Sequence, residues 1–150
     1  MFVMKHILLI ALLIVPAGLL AADDPLMGTW QMNASQSQMG ARPPKSVTRK
    51  HEPVPNGVKV TRTGLEADGK PIKSDWTAKF DGGEYPLNDS KGQVITMKRL
   101  NPYAVEGTMS HDGKVTNNIR WEVSKDGRTM TITEKHVSPL ETTVMVLEKQ

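Results

Sequence analysis

Three histidines follow residue 22, His51, His111 and His136, and they are the first place to look for chemistry. A metal site draws about three or four ligands to one point, and strand ligands stand best at i and i+2. These three fall on three different predicted strands, each near an end. They read as exposed or rim side chains, and no metal is expected. The chain has no cysteine, which removes a thiol nucleophile, a disulfide framework, a Cys-type zinc site and a lipid-modified N-terminal Cys. A nucleophilic serine needs a neighbouring base and an orienting group. The serines here lie in turns or on solvent faces, and no Gly-x-Ser-x-Gly occurs. Asp68, Asp81, Asp112 and Asp126 are accounted for by turn geometry. Glu106 and Glu134 remain as candidate interior carboxylates. No catalytic residue and no cofactor are assigned, and the expectation is a protein that is not an enzyme.

Binding chemistry is better represented. Trp76, Trp121, Tyr103, Phe80 and Met109 fall on strand faces that also carry Val58, Val60, Ile72, Val105, Ile119, Met130 and Ile132. Arg62, Asn117 and Glu134 are the polar members of the same faces. An apolar wall with a few convergent polar groups is what a pocket for a small hydrophobic molecule requires. Trp76, Trp121 and Tyr103 would form the contact surface, and Arg62 could receive a carboxylate. A core filled by the same side chains is the open alternative, with Arg62 and Glu134 reaching water at strand ends.

The elements that position these residues are strands. Hairpin dipeptides recur at nearly even spacing: Asn56-Gly57, Asp68-Gly69, Asp81-Gly82-Gly83, Asp112-Gly113 and Asp126-Gly127. Gly and Asx tolerate the positive φ that tight hairpins need. Between them the sequence alternates with period two. Ile72, Ser74, Trp76, Ala78 and Phe80 oppose Lys73, Asp75, Thr77 and Lys79, and Ile119, Trp121 and Val123 oppose Arg120 and Glu122. Such alternation places one face on a core and the other in water. It predicts about nine strands, near 27–33, 45–54, 57–66, 70–80, 93–100, 103–111, 114–124, 128–137 and 140–148. The exception is the polar stretch 33–44, with room for a short helical turn before Pro43-Pro44. Sequential antiparallel strands leave two open edges unless the sheet closes. The fold expected is therefore all-β, an up-and-down antiparallel barrel of about 8–10 strands.

Gly28-Thr29-Trp30 heads the first predicted strand. A Gly-x-Trp at the start of such a meander resembles the lipocalins and their calycin relatives. Residues 23–150 as a whole look like small lipocalin-like proteins of bacterial envelopes. Asp68-Gly69-Lys70-Pro71 and Ser124-Lys125-Asp126-Gly127-Arg128-Thr129-Met130-Thr131 add to the likeness. The resemblance implies that Trp30, with Gly28 beside it, packs across the closed end of the barrel. Lys149 is the cation nearest to it in the last strand. It also implies binding or carriage of a small hydrophobic ligand without catalysis.

Residues 1–22 read as a secretory signal peptide. Lys5 supplies the positive start, Ile7 to Leu20 an apolar run broken by Pro16 and Gly18, and Ala21-Ala22 a small-residue cleavage site. The run is short and helix-broken for a span, so no membrane span is expected after its removal. Localisation is then secreted or periplasmic, with a barrel domain over 23–150. Removing Lys5 from the 19 Lys+Arg leaves a surplus of two over the 16 Asp+Glu. The densest basic group, Arg42, Lys45, Arg49 and Lys50, has no interleaved aromatics and reads as a solvated loop and edge strand. No nucleic acid is expected as a partner. Two sequons, Asn33-Ala34-Ser35 and Asn88-Asp89-Ser90, read as chance. The alternative function is an envelope interaction module with a filled barrel, its protein partner unknown.

Overall fold

The computed structural model describes residues 23–150 except Asp89. The expected signal peptide, residues 1–22, lies outside the described residues. Ten strands form one antiparallel sheet: β1 (Gly28–Met32), β2 (Ser46–Val54), β3 (Gly57–Leu65), β4 (Pro71–Lys79), β5 (Tyr85–Pro86), β6 (Gln93–Asn101), β7 (Ala104–His111), β8 (Lys114–Val123), β9 (Thr129–His136) and β10 (Glu141–Lys149). The additional strand is the two-residue β5. The stretch after β1 holds one 3-10 turn, Ala34–Gln36, capped by the Asn33 side chain on the Gln36 amide.

Hairpins join every consecutive pair except β4 and β5, and β1 also pairs with β10. The first and last strands therefore lie side by side, and the barrel is an up-and-down one that nearly closes. Its seam lies between β4 and the β5–β6 pair. It is spanned by the Asp81↔Lys98 bridge and by the Asn88 Nδ2 to Asp75 Oδ1 bond at 3.4 Å. The turn chemistry behaves as its residues dictate. Asp112 and Gly113 both take positive φ, 47° and 80°, as a two-residue type I′ hairpin requires.

Alternation holds through the long strands. Val58 and Val60, then Trp76 and Ala78, then Ile119, Trp121 and Val123 are buried while their neighbours face water. At the end of the barrel that receives the N-terminal segment, Leu26 and Trp30 are fully buried. There the Trp30 indole N–H donates to the Leu26 carbonyl at 3.3 Å. Lys149 lies directly opposite Trp30 in the ladder and sets its ammonium 5.2 Å from the ring centroid, within cation–π range. Gly28 has φ +119°, and a Cβ there would meet the Lys149 Cε at 2.8 Å. The positive φ favours glycine at this position, and without a Cβ the lysine stem passes close to the backbone.

Four expectations need correction. Tyr103 is 38% exposed and outside the barrel. It precedes β7, in the turn after β6, where strand alternation no longer applies. Glu106 faces outward and pairs with Arg120. β2 is no edge strand, since β1 and β3 flank it, so Arg49 is not a solvated cation but a buried one. His51 is buried for the same reason, at 2% exposure.

Candidate functional site

The opposite end of the barrel opens into a cavity of about 490 Å³. Its apolar wall is Trp76 from β4, Ile95 from β6, Met109 from β7, Ile119 and Trp121 from β8, and Met145 from β10. Arg49, Arg62, Ser74, Gln93, Glu134 and His136 supply polar atoms. Met39, Leu87 and Ser90 come from the loops, with Glu141 and Thr143 from β10. The wall has this mixed character because period-two alternation aims every second residue of a strand inward. Near the open end those inward positions happen to be polar.

Trp121 organises the interior. It is 1% exposed. Its ring lies 6.0 Å from that of Trp76 at 51°, a tilted aromatic pair within the favoured range. The His51 ring stacks on it at 4.9 Å and 30°. The Arg49 guanidinium carbon sits 5.0 Å from its centroid. His51 and Arg49 share the inward face of β2 and are joined by a bond from Arg49 Nε to His51 Nε2 at 3.3 Å. Since Nε2 accepts, the ring proton is on Nδ1, which donates to the Leu26 carbonyl at 2.9 Å. Burial first, and then the adjacent Arg49 charge, push the His51 pKa down to about 3. His51 is therefore a neutral strut linking the closed end to Arg49, not a proton carrier at neutral pH.

Arg49 and Arg62 are direct cross-strand partners in the β2–β3 ladder. Burial, and then the like charge of Arg62, lower the Arg49 pKa to about 10, with Glu134 opposing the shift. The guanidinium remains charged at neutral pH. Among the described residues its terminal N–H groups meet no acceptor, and neither arginine makes an ion pair. No fully enclosed side-chain nitrogen lacks a partner, so those N–H groups open onto the cavity. Glu134 is held from behind by Asn117, whose Nδ2 donates to Oε2 at 3.1 Å.

The residues expected to form a pocket separate into groups. Trp76, Trp121, Arg62 and Met109 line the cavity. Asn117, half-buried, is not among the lining residues but donates to Glu134, which is. Phe80 is buried in the interior but away from the cavity, with the Arg99 guanidinium 5.4 Å from its ring. Tyr103 instead lines an outer cleft of about 650 Å³ with Asp24, Arg99 and Leu100. That cleft is larger, and its one cation is already paired: Arg99 donates to both Asp24 oxygens, at 2.6 and 2.7 Å. Burial would raise the Asp24 carboxyl, but the bonds from Arg99 and the Leu26 amide outweigh it and hold the pKa below its ordinary value. The functional residue that sequence reasoning missed is Arg49. The signal was available, because Val47, Arg49 and His51 alternate with Thr48, Lys50 and Glu52.

The chain matches no protein-family model, and no curated protein matches it.

Proposed function

We propose that this barrel is a lipocalin-like binding protein, exported to the periplasm or secreted, that holds a small molecule with an apolar body without chemically changing it. The observation that carries this reading is the roughly 490 Å³ cavity with Trp76 and Trp121 in its wall. Ligand pockets fall at about 300–1,000 Å³, with aromatic walls and a few placed polar groups. Gly28 and Trp30 at the closed end, under Lys149, support the lipocalin-like part of the reading. The leader-like residues 1–22 support export. The engagement of both His51 ring nitrogens supports binding over catalysis, since the most buried titratable ring has no free proton site.

Native mass spectrometry of protein purified from its source tests the reading. A co-purifying organic molecule that leaves on unfolding is the expected result. Clean apo protein that also fails to bind any member of a small aromatic library would overturn it and favour the partner-docking alternative.

A further inference from the structure

Taking the cavity as a ligand site, we propose that the ligand is a monoanion with a planar apolar body, its carboxylate seated on Arg49 and Arg62 and its body against Trp76 and Trp121. This rests on the proposed function and adds a charge and a chemical class to it.

Arg49 is 8% exposed and lines the cavity. A buried charge without a counterion is expensive, so buried arginines are ordinarily paired. Among the described residues the only side-chain bond of Arg49 is the one from Nε to His51. That bond orients the guanidinium and leaves its terminal N–H groups for something else. Arg62, opposite it on β3, adds a second cation on the same wall. Two like charges side by side destabilise each other unless an anion lies between them.

Glu134 is the one carboxylate in the wall below the rim, and Asn117 holds it. At the rim stand Glu141, which is exposed, and His136. Two arginines against Glu134 leave one uncompensated positive charge in the interior, which matches a monoanion. A guanidinium presents N–H groups in a planar fork that fits a carboxylate. Arg49 already lies over Trp121, and Trp76 leans toward the same ring. A planar body fits beside them better than a long flexible one.

Calorimetric titration with 2-naphthoate and with 2-naphthylmethanol separates the possibilities, because the two share a ring system and differ in the acid group. The wild-type protein should bind the carboxylate about tenfold to a hundredfold more tightly, at one site per chain, as expected for charged hydrogen bonds. Arg49→Gln should bring that ratio close to one, weakening the carboxylate more than the alcohol. Arg62→Gln, at a half-buried position, should lower the ratio by a smaller factor and serves if Arg49→Gln does not fold. If the wild type binds both probes equally, or prefers the alcohol, the anion inference is overturned and the pocket reading stands. If the ratio survives both substitutions, the arginines are not the seat and the inference again fails. If neither probe binds at millimolar concentration, the pocket reading itself falls, and this inference with it.

Discussion

At the closed end of the barrel Arg99 meets both oxygens of Asp24 and the Pro102 carbonyl. On the cavity wall Arg49 and Arg62 stand on adjacent strands with no ion pair among the described residues. The two ends use the same residue type for opposite purposes. Below, the buried and half-buried polar groups near the N-terminal segment are partnered: Asp24 has Arg99, Lys149 has the face of Trp30, and His51 is neutral and bonded at both nitrogens. Such contacts contribute stability. Above, Arg49 is buried without an ion pair among the described residues, which costs stability unless an anion completes it. The difference sets a paired end of the barrel against one whose buried charge has no partner among the described residues.

That contrast can be broken first at the floor. Trp30→Ala empties the most buried part of the closed end and should cost about 3–5 kcal/mol in urea denaturation, the range for core aromatic truncation. A change of less than about 1 kcal/mol would show that the floor is not what holds the barrel.

Acid offers a second lever, with a worked sign. Unfolded His51 takes up a proton near its ordinary value of 6.5, whereas the folded ring resists protonation down to about 3. Between those values the unfolded state binds more protons. Stability is complete above about pH 6.5 and declines as pH falls through the window, by up to about 1.4 kcal/mol per pH unit. Asp24, also lowered, pushes the same way at the acid end. His51→Gln can keep both bonds without titrating, so its stability should stay flat from neutrality down to the carboxylate range. An unchanged slope in that variant would remove His51 as the cause.

Smaller effects sharpen the comparison. Arg99→Met removes a bidentate, partly buried pair and leaves Asp24 unpaired, which should cost about 2 kcal/mol. Gly28→Ala forces a side chain onto a positive φ and against Lys149, for a loss of about 1–2 kcal/mol by thermal or chemical melting.

The barrel was legible because its signals were local. Asx-Gly pairs marked the hairpins, and period two assigned Val58, Trp76, Ile119 and Trp121 to the interior. What was not legible depended on where a strand ends and on who its neighbours are. Tyr103 has the parity of Val105 but stands one residue before β7 begins, so its ring falls outside. Arg49 stands in the densest basic group of the sequence, with Arg42, Lys45 and Lys50, and that density points to a solvated loop and edge strand. Whether β2 is an edge depends on β1 pairing with β10 and leaving the seam elsewhere, a long-range fact no local pattern carries. Arg62 was assigned inward and lines the cavity, but its partnership with Arg49 follows from ladder register. Asn117 has the inward parity of Ile119 and Trp121, but its bond to Glu134 follows from the β8–β9 register.

The most direct measurement is a pair of urea denaturation curves at neutral pH, one for Arg49→Met and one for Arg99→Met, each against wild type. If Arg49 has no counterion within the fold, the loss of its bond to His51 is offset by the desolvation that an apolar side chain of similar length does not carry, so Arg49→Met should cost less than about 1 kcal/mol, while Arg99→Met loses about 2 kcal/mol. Equal losses in the two variants would mean that Arg49 is already satisfied within the fold, and the account of the arginine pair as an anion seat would be contradicted.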